Sequence, residues 1–421
     1  MRSICLAMAA VMVGTGCGRH SVDAAHLQPA PAASDAAPSA YEQMGLIAVS
    51  GAFPFIGRVA YLAGAVPDST WTVIALSFAR HPLRTVDTRV TVAVERDGAV
   101  VRQVDGSLRD AWPVEDRAVF QRVLLLAPGP YTLSVTVRDT LNVHVSRGVT
   151  PLDVPRLDAT AAALSSAIPV YRATPRYVLA DVPAMIVNPR ATVTAGRDSA
   201  IDIYLEGYGA GVKRPVLLQA RTDSGVLVWR NSLTLRRRGE LFSGVTPVPI
   251  AFLGPGIATL SFLAGDTVST PVFVGLGGGI PVASFGTLLN ALRYFAAPET
   301  LDSLRRAPAA ARPAAWAAFS APRADSLRAY LARVQQANDR FRDEGVPGWQ
   351  TARGMVYVSL GDPYQIYMRG SAEREQIWVY EQYLTRIIFV DPGGGGRWQL
   401  TPRGASDFAA LVHRLRQRPT P

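Results

Sequence analysis

Cysteine is scarce in this chain, and the positions of its two cysteines already limit the chemistry. Cys5 and Cys17 both lie near the N-terminus. Cys5 falls in a segment that we expect to be removed on export, so that the mature chain would keep Cys17 alone. A single cysteine excludes an intramolecular disulfide and any zinc site that is built from cysteine pairs.

Lysine and histidine are also rare. Lys213 is the only lysine, and the five histidines are dispersed along the chain. No HExxH motif, paired cysteines or acid-rich loop is present, so the sequence predicts no metal site, no cofactor and no catalytic residue. The net charge is +10, but the arginines are scattered and lack interleaved aromatic residues. This pattern argues against a nucleic-acid partner.

Long uninterrupted hydrophobic runs are missing as well. The apolar stretch at residues 4–13 is too short to span a bilayer, which takes about 20 residues. The uncharged run at residues 245–265 contains Pro247 and Pro249, which would break a spanning helix. We interpret this run as two buried strands joined by a turn, and we expect no transmembrane helix.

The N-terminus has the pattern of an export signal. A positively charged second residue precedes the apolar stretch, and the small residues 14–16 stand directly before Cys17, as in a lipobox. We expect residues 1–17 to be a lipoprotein-type signal peptide and Cys17 to carry the lipid. Ordinary cleavage near residues 24–25 is the alternative. Lipidation would anchor the chain to a bacterial membrane, facing the periplasm or the cell surface.

A flexible tether and a first β-sandwich are predicted next. Residues 18–43 are rich in Ala, Pro and Ser, a composition typical of linkers. Residues 44–157 contain short strands with period-two alternation, and Asp97-Gly98 and Pro128-Gly129 are turn signals. Strands at this spacing, with no helical segment between them, indicate a β-sandwich.

An internal repeat predicts a second sandwich. The segment LAPGPYTLSV at residues 126–135 recurs as LGPGIATLSF at residues 253–262, an offset of 127 residues. We therefore expect residues 165–276 to have the topology of the first sandwich. Pro128-Gly129 and Pro255-Gly256 would then lie in equivalent hairpins.

The periodicity becomes helical after a Gly- and Pro-rich linker at residues 275–281. Apolar stripes predict helices near Leu288, near Trp316 and over residues 323–343. Strands are then expected at residues 355–360, 376–380, 386–390 and 397–400, and a last helix at 405–416. The expected fold class is multidomain and mainly β, with two tandem immunoglobulin-like sandwiches followed by an α+β module at residues 285–416.

The α+β module resembles a known family. The segment GWQTARG at residues 348–354, followed by VYV and GDP, is similar to the signature of the GWxTD domain-containing proteins, and the resemblance covers roughly residues 285–405. It implies an exported bacterial protein of uncharacterised function. The residues that carry the motif are Gly348, Trp349, Thr351, Arg353, Gly354, Gly361, Pro363, Trp378, Tyr380 and Asp391.

Two questions about this motif stay open at the level of the sequence. The acidic position of the motif is occupied by Ala352, which removes any acid that would act there in relatives. Trp349, Tyr357, Trp378 and Tyr380 either fill the core between helix and sheet or line a recognition groove. The core is the preferred interpretation because large aromatic residues dominate core energetics.

The sequence therefore predicts an envelope lipoprotein that acts as a non-catalytic binding or assembly component. Its expected partners are a membrane, through the N-terminal lipid, and another envelope protein. The alternative is an envelope hydrolase that acts on cell-wall or surface polymer. A cleft with clustered polar residues would favour the hydrolase, and an exposed aromatic surface would favour binding.

Overall fold

The first sandwich occupies the N-terminal part of the described chain. The computed structural model describes residues 40–66, 68–79, 87–115, 117–140, 143–209, 215–277, 280, 283–341, 347–370 and 374–417. The strands of this sandwich are β1 (Ile47–Val49), β2 (Phe55–Ala63), β3 (Thr70–Ala79), β4 (Thr88–Arg96), β5 (Ala99–Ser107), β6 (Trp112–Val114), β7 (Arg117–Leu126), β8 (Gly129–Asp139) and β9 (Val145–Val154).

Two antiparallel sheets enclose the core of the first sandwich. Their strand orders are β1-β2-β3-β7-β6 and β5-β4-β8-β9. Alternate residues of each strand point inward, as the period-two pattern predicts, and Phe55, Leu76, Val92 and Leu133 are among the buried side chains. Asp97 and Gly98 both have positive φ in the tight β4–β5 hairpin, so this predicted turn is confirmed.

The second sandwich follows directly. Its strands are β10 (Ala163–Leu164), β11 (Ile168–Thr174), β12 (Ala184–Val187), β13 (Thr192–Thr194), β14 (Ala200–Tyr208), β15 (Val216–Thr222), β16 (Leu227–Leu233), β17 (Arg236–Arg238), β18 (Leu241–Pro249), β19 (Gly256–Leu263) and β20 (Thr267–Gly275). Their orders are β12-β11-β14-β18-β17, with β10 also on β14, and β13-β20-β19-β15-β16. The β13–β20 pair is parallel, and the other pairs are antiparallel.

The central strand paths of the two sandwiches correspond, as the 127-residue offset predicts. Their outermost strands differ, because β1 precedes its neighbour β2 in the chain whereas β12 follows its neighbour β11, and β13 adds a parallel strand beside β20. The path β2-β3-β7-β6 corresponds to β11-β14-β18-β17, and β5-β4-β8-β9 corresponds to β16-β15-β19-β20. The predicted hairpins at Pro128-Gly129 and Pro255-Gly256 are wrong, however. Each turn joins strands of opposite sheets, β7 to β8 and β18 to β19. Proline and glycine favour a sharp reversal but do not determine which sheet the next strand joins.

The sandwiches pack against each other through the outer faces of two sheets. Ala60 and Leu62 of β2 meet Ile168 of β11, Val187 of β12 and Tyr204 of β14 in a buried cluster. The sheet that contains β2 and the sheet that contains β11 are therefore covered on both faces.

The predicted tether ends earlier than residue 43. Helix α1 (Ala40–Gln43) belongs to the folded part, because the Tyr41 hydroxyl accepts a hydrogen bond from Nε of Arg190 at 2.9 Å. Met44 and Leu46, directly after it, are buried in the core of the C-terminal module.

The C-terminal module is α+β, which confirms the fold class. Its helices are α2 (Phe285–Ala291), α3 (Pro298–Arg306), α4 (Arg312–Ser320), α5 (Ala324–Arg340), α6 (Ala352–Leu360) and α7 (Pro402–Gln417). Its antiparallel sheet has the order of its strands along the chain: β21 (Gln365–Arg369), β22 (Arg374–Tyr380), β23 (Thr385–Asp391) and β24 (Gln399–Leu400).

The strand predicted at residues 355–360 is wrong, because this segment lies within helix α6. The Thr351 hydroxyl accepts a hydrogen bond from the Gly354 N–H at 2.9 Å and so caps the first turn. Val356, Tyr357, Val358 and Leu360 are all buried, on a helix that is largely enclosed. A short apolar run of this kind fits a buried strand as well as a buried helix, so its periodicity could not decide.

Candidate functional site

The GWxTD-like motif lies where helix α5, helix α6 and the β21–β24 sheet meet. Residues 348–350 form a single 3-10 turn directly before α6. Trp378 and Tyr380 come from β22, and Asp391 ends β23. The fold thus brings together motif residues that are up to 43 positions apart in the sequence (391 − 348).

Gly348 and Gly354 allow a very close approach of backbone segments. A Cβ atom on Gly348 would lie 2.1 Å from the carbonyl oxygen of Ala337 in α5, and one on Gly354 would lie 1.8 Å from the carbonyl oxygen of Gly348. Thr351 joins the two glycines, because its hydroxyl donates to the Gly348 carbonyl at 2.8 Å and accepts from the Gly354 N–H. These three motif residues therefore set the position of the 3-10 turn between α5 and α6.

The aromatic residues of the motif belong to the core. Trp349, Tyr357, Trp378 and Tyr380 are 6%, 1%, 2% and 0% exposed. The Trp378 ring lies 4.9 Å from that of Phe389, and the Tyr380 hydroxyl donates to the Gly361 carbonyl at 3.1 Å. The core interpretation is confirmed, and the alternative of an aromatic recognition groove formed by these four residues is wrong.

Arg353, Gly361 and Pro363 also serve the local structure. The Arg353 guanidinium lies over the rings of Phe341 and Trp398, at 5.1 and 5.3 Å from their centroids. Gly361 has φ of 81° and ψ of −160° directly after the last residue of α6, a backbone conformation that essentially only glycine adopts. Pro363 is half-buried two residues before β21.

Asp391 holds the glycine-rich turn at residues 393–396. The carboxylate accepts a hydrogen bond from the Gly396 N–H at 2.8 Å and pairs with Arg374, and the side chain is 1% exposed. Burial opposes ionisation, but the Gly396 N–H and the Arg374 guanidinium outweigh it and hold the pKa of Asp391 below its ordinary value. The carboxylate acts here as a turn anchor.

Ala352 occupies the first position of helix α6. It is half-buried and packs against the core of the module. The N-cap is supplied by Thr351, so the absence of the acid leaves the start of the helix capped. An acid at this position would face the positive end of the helix dipole.

An exposed apolar strand, which sequence reasoning missed, lies next to the motif. Every residue of β21 is exposed, and Tyr364, Ile366, Tyr367 and Met368 are 68%, 47%, 47% and 56% exposed. The segment YQIYMR at residues 364–369 contains aromatic and β-branched residues, which predict a strand, but the sequence does not show that this strand is exposed. Four large apolar or aromatic side chains are exposed along residues 364–368, and exposed apolar residues in such density mark interaction sites.

A cavity of about 720 Å³ lies between the second sandwich and helices α4 and α5. Leu276, Trp316, Leu327 and Leu331 supply most of its apolar wall, beside small residues. No aspartate, glutamate, histidine or cysteine is among its described lining residues. Its two arginines, at positions 197 and 328, are each in ion pairs with neighbouring aspartates. The cavity thus resembles an apolar binding site more than a proton-transfer site.

Other sequence expectations concern features outside the site. Cys17 and the predicted signal peptide lie outside the described residues. None of the helices that the structure describes is long and apolar enough to cross a bilayer. Within the described ranges, no group of His, Cys, Asp and Glu side chains is placed to hold a metal ion.

Comparison with known proteins identifies the C-terminal module. The family model of the GWxTD domain matches residues 282–390, so the chain carries a GWxTD domain and the resemblance seen in the sequence is confirmed. No curated protein matches the chain.

Comparison with solved structures adds no argument about function. The BSP domain of a biofilm-associated protein is 6% identical with a TM-score of 0.18, over 54% of this chain and 52% of that chain. The β-glucuronidase of Bifidobacterium dentium is 12% identical with a TM-score of 0.17, over 54% and 48%. This chain thus spans about half the length of each. TM-scores this low support no inference about this protein.

Proposed function

We propose that the chain is an exported lipoprotein of the bacterial envelope whose GWxTD domain presents a rigid surface to a protein partner and performs no chemistry. One observation carries the proposal. The side chains of the motif are used in packing, capping and turn formation, while an apolar strand beside them is left on the surface. Glycines and buried aromatic residues shape a backbone and fill volume, but they do not transfer protons near neutral pH.

The membrane anchor is supported by the order of elements at the N-terminus. A short apolar stretch ends in small residues directly before Cys17, and a linker-like segment separates it from the folded part. A single acyl chain binds membranes with an affinity of only about 10⁴ M⁻¹, so stable attachment takes the several chains of a lipoprotein.

Cell fractionation tests the anchor. Cys17→Ser is expected to move the protein from the membrane to the soluble periplasmic fraction. Cys5→Ser is the matched control, because Cys5 leaves with the signal peptide and its replacement should not change the distribution. Unchanged membrane attachment of Cys17→Ser would rule out lipidation as the anchor.

The alternative, an envelope hydrolase, is tested by restoring the acid of the motif. Ala352→Asp places a carboxylate at the first position of α6, where the helix dipole stabilises it by about 0.3–1 kcal/mol. We expect a small gain in melting temperature and no turnover of cell-wall or ester substrates. The parent chain and Ala352→Asn serve as controls. Hydrolysis by Ala352→Asp alone would support the hydrolase.

A further inference from the structure

Strand β21 leaves one edge of the C-terminal sheet unpaired. It is bonded to β22 on one side, and no described strand pairs with its other side. Alternate backbone N–H and C=O groups of an edge strand point outward and can template another strand. Tyr364, Ile366 and Met368 lie on the face of the sheet that also carries Trp378, whereas Tyr367 lies on the opposite face. The edge is thus apolar on both faces.

The other edge strands named below, all within the described ranges, carry features that disfavour pairing with another chain. Strands β1, β13 and β24 have at most three residues, β6 contains Pro113, and β17 consists of three arginines. Strands β5, β9 and β16 have charged residues in their interiors. Strand β12 is covered by Gln121, whose amide bonds the Met185 carbonyl and the Val187 N–H. Natural proteins protect sheet edges by such means.

Strand β21 has none of these protections over Gln365–Met368. Its single charge is on its last residue, Arg369, which lies opposite Glu375 of β22. The strand therefore offers a nearly neutral, uninterrupted edge of five residues, of the kind that pairs with another strand.

We propose that β21 is a dimerisation strand, which pairs antiparallel with β21 of a second copy of this chain about a two-fold axis at Tyr367. The proposal deepens the proposed function, since it rests on the GWxTD domain acting through its surface and names the partner of that surface. The two sheets would join into one continuous antiparallel sheet across the axis, an isologous interface.

The residues of β21 are complementary to themselves in this register. Tyr367 is the central residue of β21, so only a two-fold axis at Tyr367 pairs all five residues of one copy with all five of the other. Ile366 then faces Met368 of the second copy, and Gln365 faces Arg369, so that no like charges are opposed. Tyr364 faces Gly370, which leaves room for the tyrosine ring.

The short strand also sets the expected strength of the dimer. Stable interfaces bury about 1,200–2,000 Å², and a pair of five-residue strands lies at or below the lower end of this range. We therefore expect a dimer that dissociates on dilution, and whose formation on a membrane would be favoured by anchoring both copies to one surface.

Disulfide trapping tests the register. In the full chain with both natural cysteines changed to serine, Tyr367→Cys supplies the only thiol, and the two copies of residue 367 would have Cβ atoms about 4.5–5.5 Å apart. In Gln365→Cys the two thiols would be about 13 Å apart along the strands, too far for a disulfide. Mild oxidation should therefore give a covalent dimer with Tyr367→Cys only. Equal trapping of both variants, or of neither, would overturn the proposal.

Sedimentation of the same cysteine-free full chain measures the association itself. The parent should shift from monomer to dimer with increasing concentration, and Tyr367→Lys, which opposes two charges at the axis, should remain monomeric. Val149→Lys is the matched control, because Val149 is 58% exposed on the edge strand β9. It should dimerise like the parent. If Tyr367→Lys melts below the parent, its failure to dimerise no longer tests the proposal. The comparison of disulfide trapping in Tyr367→Cys and Gln365→Cys then decides.

The outcomes also separate this proposal from the proposed function. A parent that stays monomeric at all concentrations, or a Tyr367→Lys variant that still dimerises, overturns the β21 dimer. Neither result affects the release of Cys17→Ser from the membrane or the hydrolase assay of Ala352→Asp, which test the proposed function alone.

Discussion

At the scale of single residues, the motif tryptophan is a structural residue. Trp349 is 6% exposed, its backbone N–H bonds the Asn338 side chain at 3.2 Å, and the Arg293 guanidinium lies 5.5 Å from its ring centroid. Trp349→Ala should therefore lower the free energy of unfolding by about 3–5 kcal/mol, the usual cost of losing a large buried aromatic side chain. Urea unfolding of the full chain measures this.

Trp112 provides the matched control for this substitution. It is 50% exposed on the edge strand β6, so Trp112→Ala should change the free energy of unfolding by less than about 1 kcal/mol. Equal stability of the Trp349 variant and the parent would contradict the core assignment.

The motif carboxylate gives a prediction about acid stability. The pKa of Asp391 in the folded chain lies below the ordinary value of 3.8, so the unfolded chain takes up this proton first as the pH falls. The stabilisation is thus complete above the unfolded pKa and is lost as the pH falls through the folded pKa. Asp391→Asn should melt below the parent at neutral pH, and the difference should narrow below about pH 3.8.

An exposed carboxylate separates this effect from a general acid response. Asp68 is 70% exposed in its pair with Arg156 and lies outside any helix, so Asp68→Asn should follow the parent at every pH. Melting temperatures measured across the acid range give the comparison. A difference between Asp391→Asn and the parent that stays constant through this range would show that the carboxylate is not the source of the stabilisation.

At the scale of secondary-structure elements, the distance between α5 and the 3-10 turn depends on glycine. Gly348→Ala would bring a Cβ atom to 2.1 Å from the Ala337 carbonyl oxygen, so the segments must move apart. Overpacking of this kind costs about 1–3 kcal/mol or more. The matched control is Gly286→Ala in α2, where a Cβ atom meets nothing within 4 Å. It should stabilise the helix by about 0.5–1 kcal/mol. Equal melting temperatures of the two variants would contradict this account.

Elements in which apolar residues repeat regularly over several turns can be predicted from the sequence. The secondary structure of short apolar runs cannot. Helix α5 (Ala324–Arg340) was expected because Leu327, Leu331 and Val334 repeat at helical spacing over several turns. Residues 355–360 of helix α6 are predicted to be a strand, because nearly all of them are apolar and such a short run shows no helical period. The sequence signal that favours a helix here is Thr351, because threonine is a preferred N-cap residue. In the structure its hydroxyl accepts a hydrogen bond from the Gly354 N–H.

The candidate site was only partly predictable for a related reason. The motif marks the position of the module in the sequence, and the burial of its aromatic residues follows from their size. Whether a neighbouring strand is covered depends on how far the helices extend across the sheet, which no local pattern encodes. The exposure of β21 is therefore information that only the tertiary structure supplies.

At the scale of the whole molecule, the repeat predicted the architecture better than it predicted the connections. An offset of about 127 residues relates strands β3 to β9 to strands β14 to β20, whereas β11, which takes the place of β2, begins only 113 residues after it (168 − 55). The packing of one sandwich on the other was not predictable, because it depends on outer faces that lie far apart in sequence. Those faces carry residues such as Leu62 and Ile168, which alternation alone would assign to either side.

A buried ionic network connects the two sandwiches. Arg176 and Glu206 are 2% and 0% exposed at their side chains and pair at 2.6 Å. The hydroxyls of Tyr204 and Tyr208 also donate to the Glu206 carboxylate. The guanidinium donates in addition to the Ala63 carbonyl of β2 at 3.0 Å, which links the second sandwich to the first.

Removing the charge of Glu206 should therefore destabilise the pair of sandwiches. Glu206→Gln leaves Arg176 charged, buried and without its carboxylate, which typically costs about 3–5 kcal/mol. Calorimetric unfolding of the full chain measures the loss. The control is Asp68→Asn, because the Arg156–Asp68 pair is 63% and 70% exposed and should contribute less than about 1 kcal/mol.

A double variant tests whether the network also serves as a bridge between the sandwiches. If Arg176 and Glu206 only neutralise each other, an apolar pair such as Arg176→Met with Glu206→Leu should recover the stability of the parent, as is common for buried ion pairs. We expect incomplete recovery, because the double variant leaves the Ala63 carbonyl without its guanidinium donor. The sandwiches should then unfold in two calorimetric transitions in place of one. Full recovery with a single transition would limit the role of the network to charge compensation.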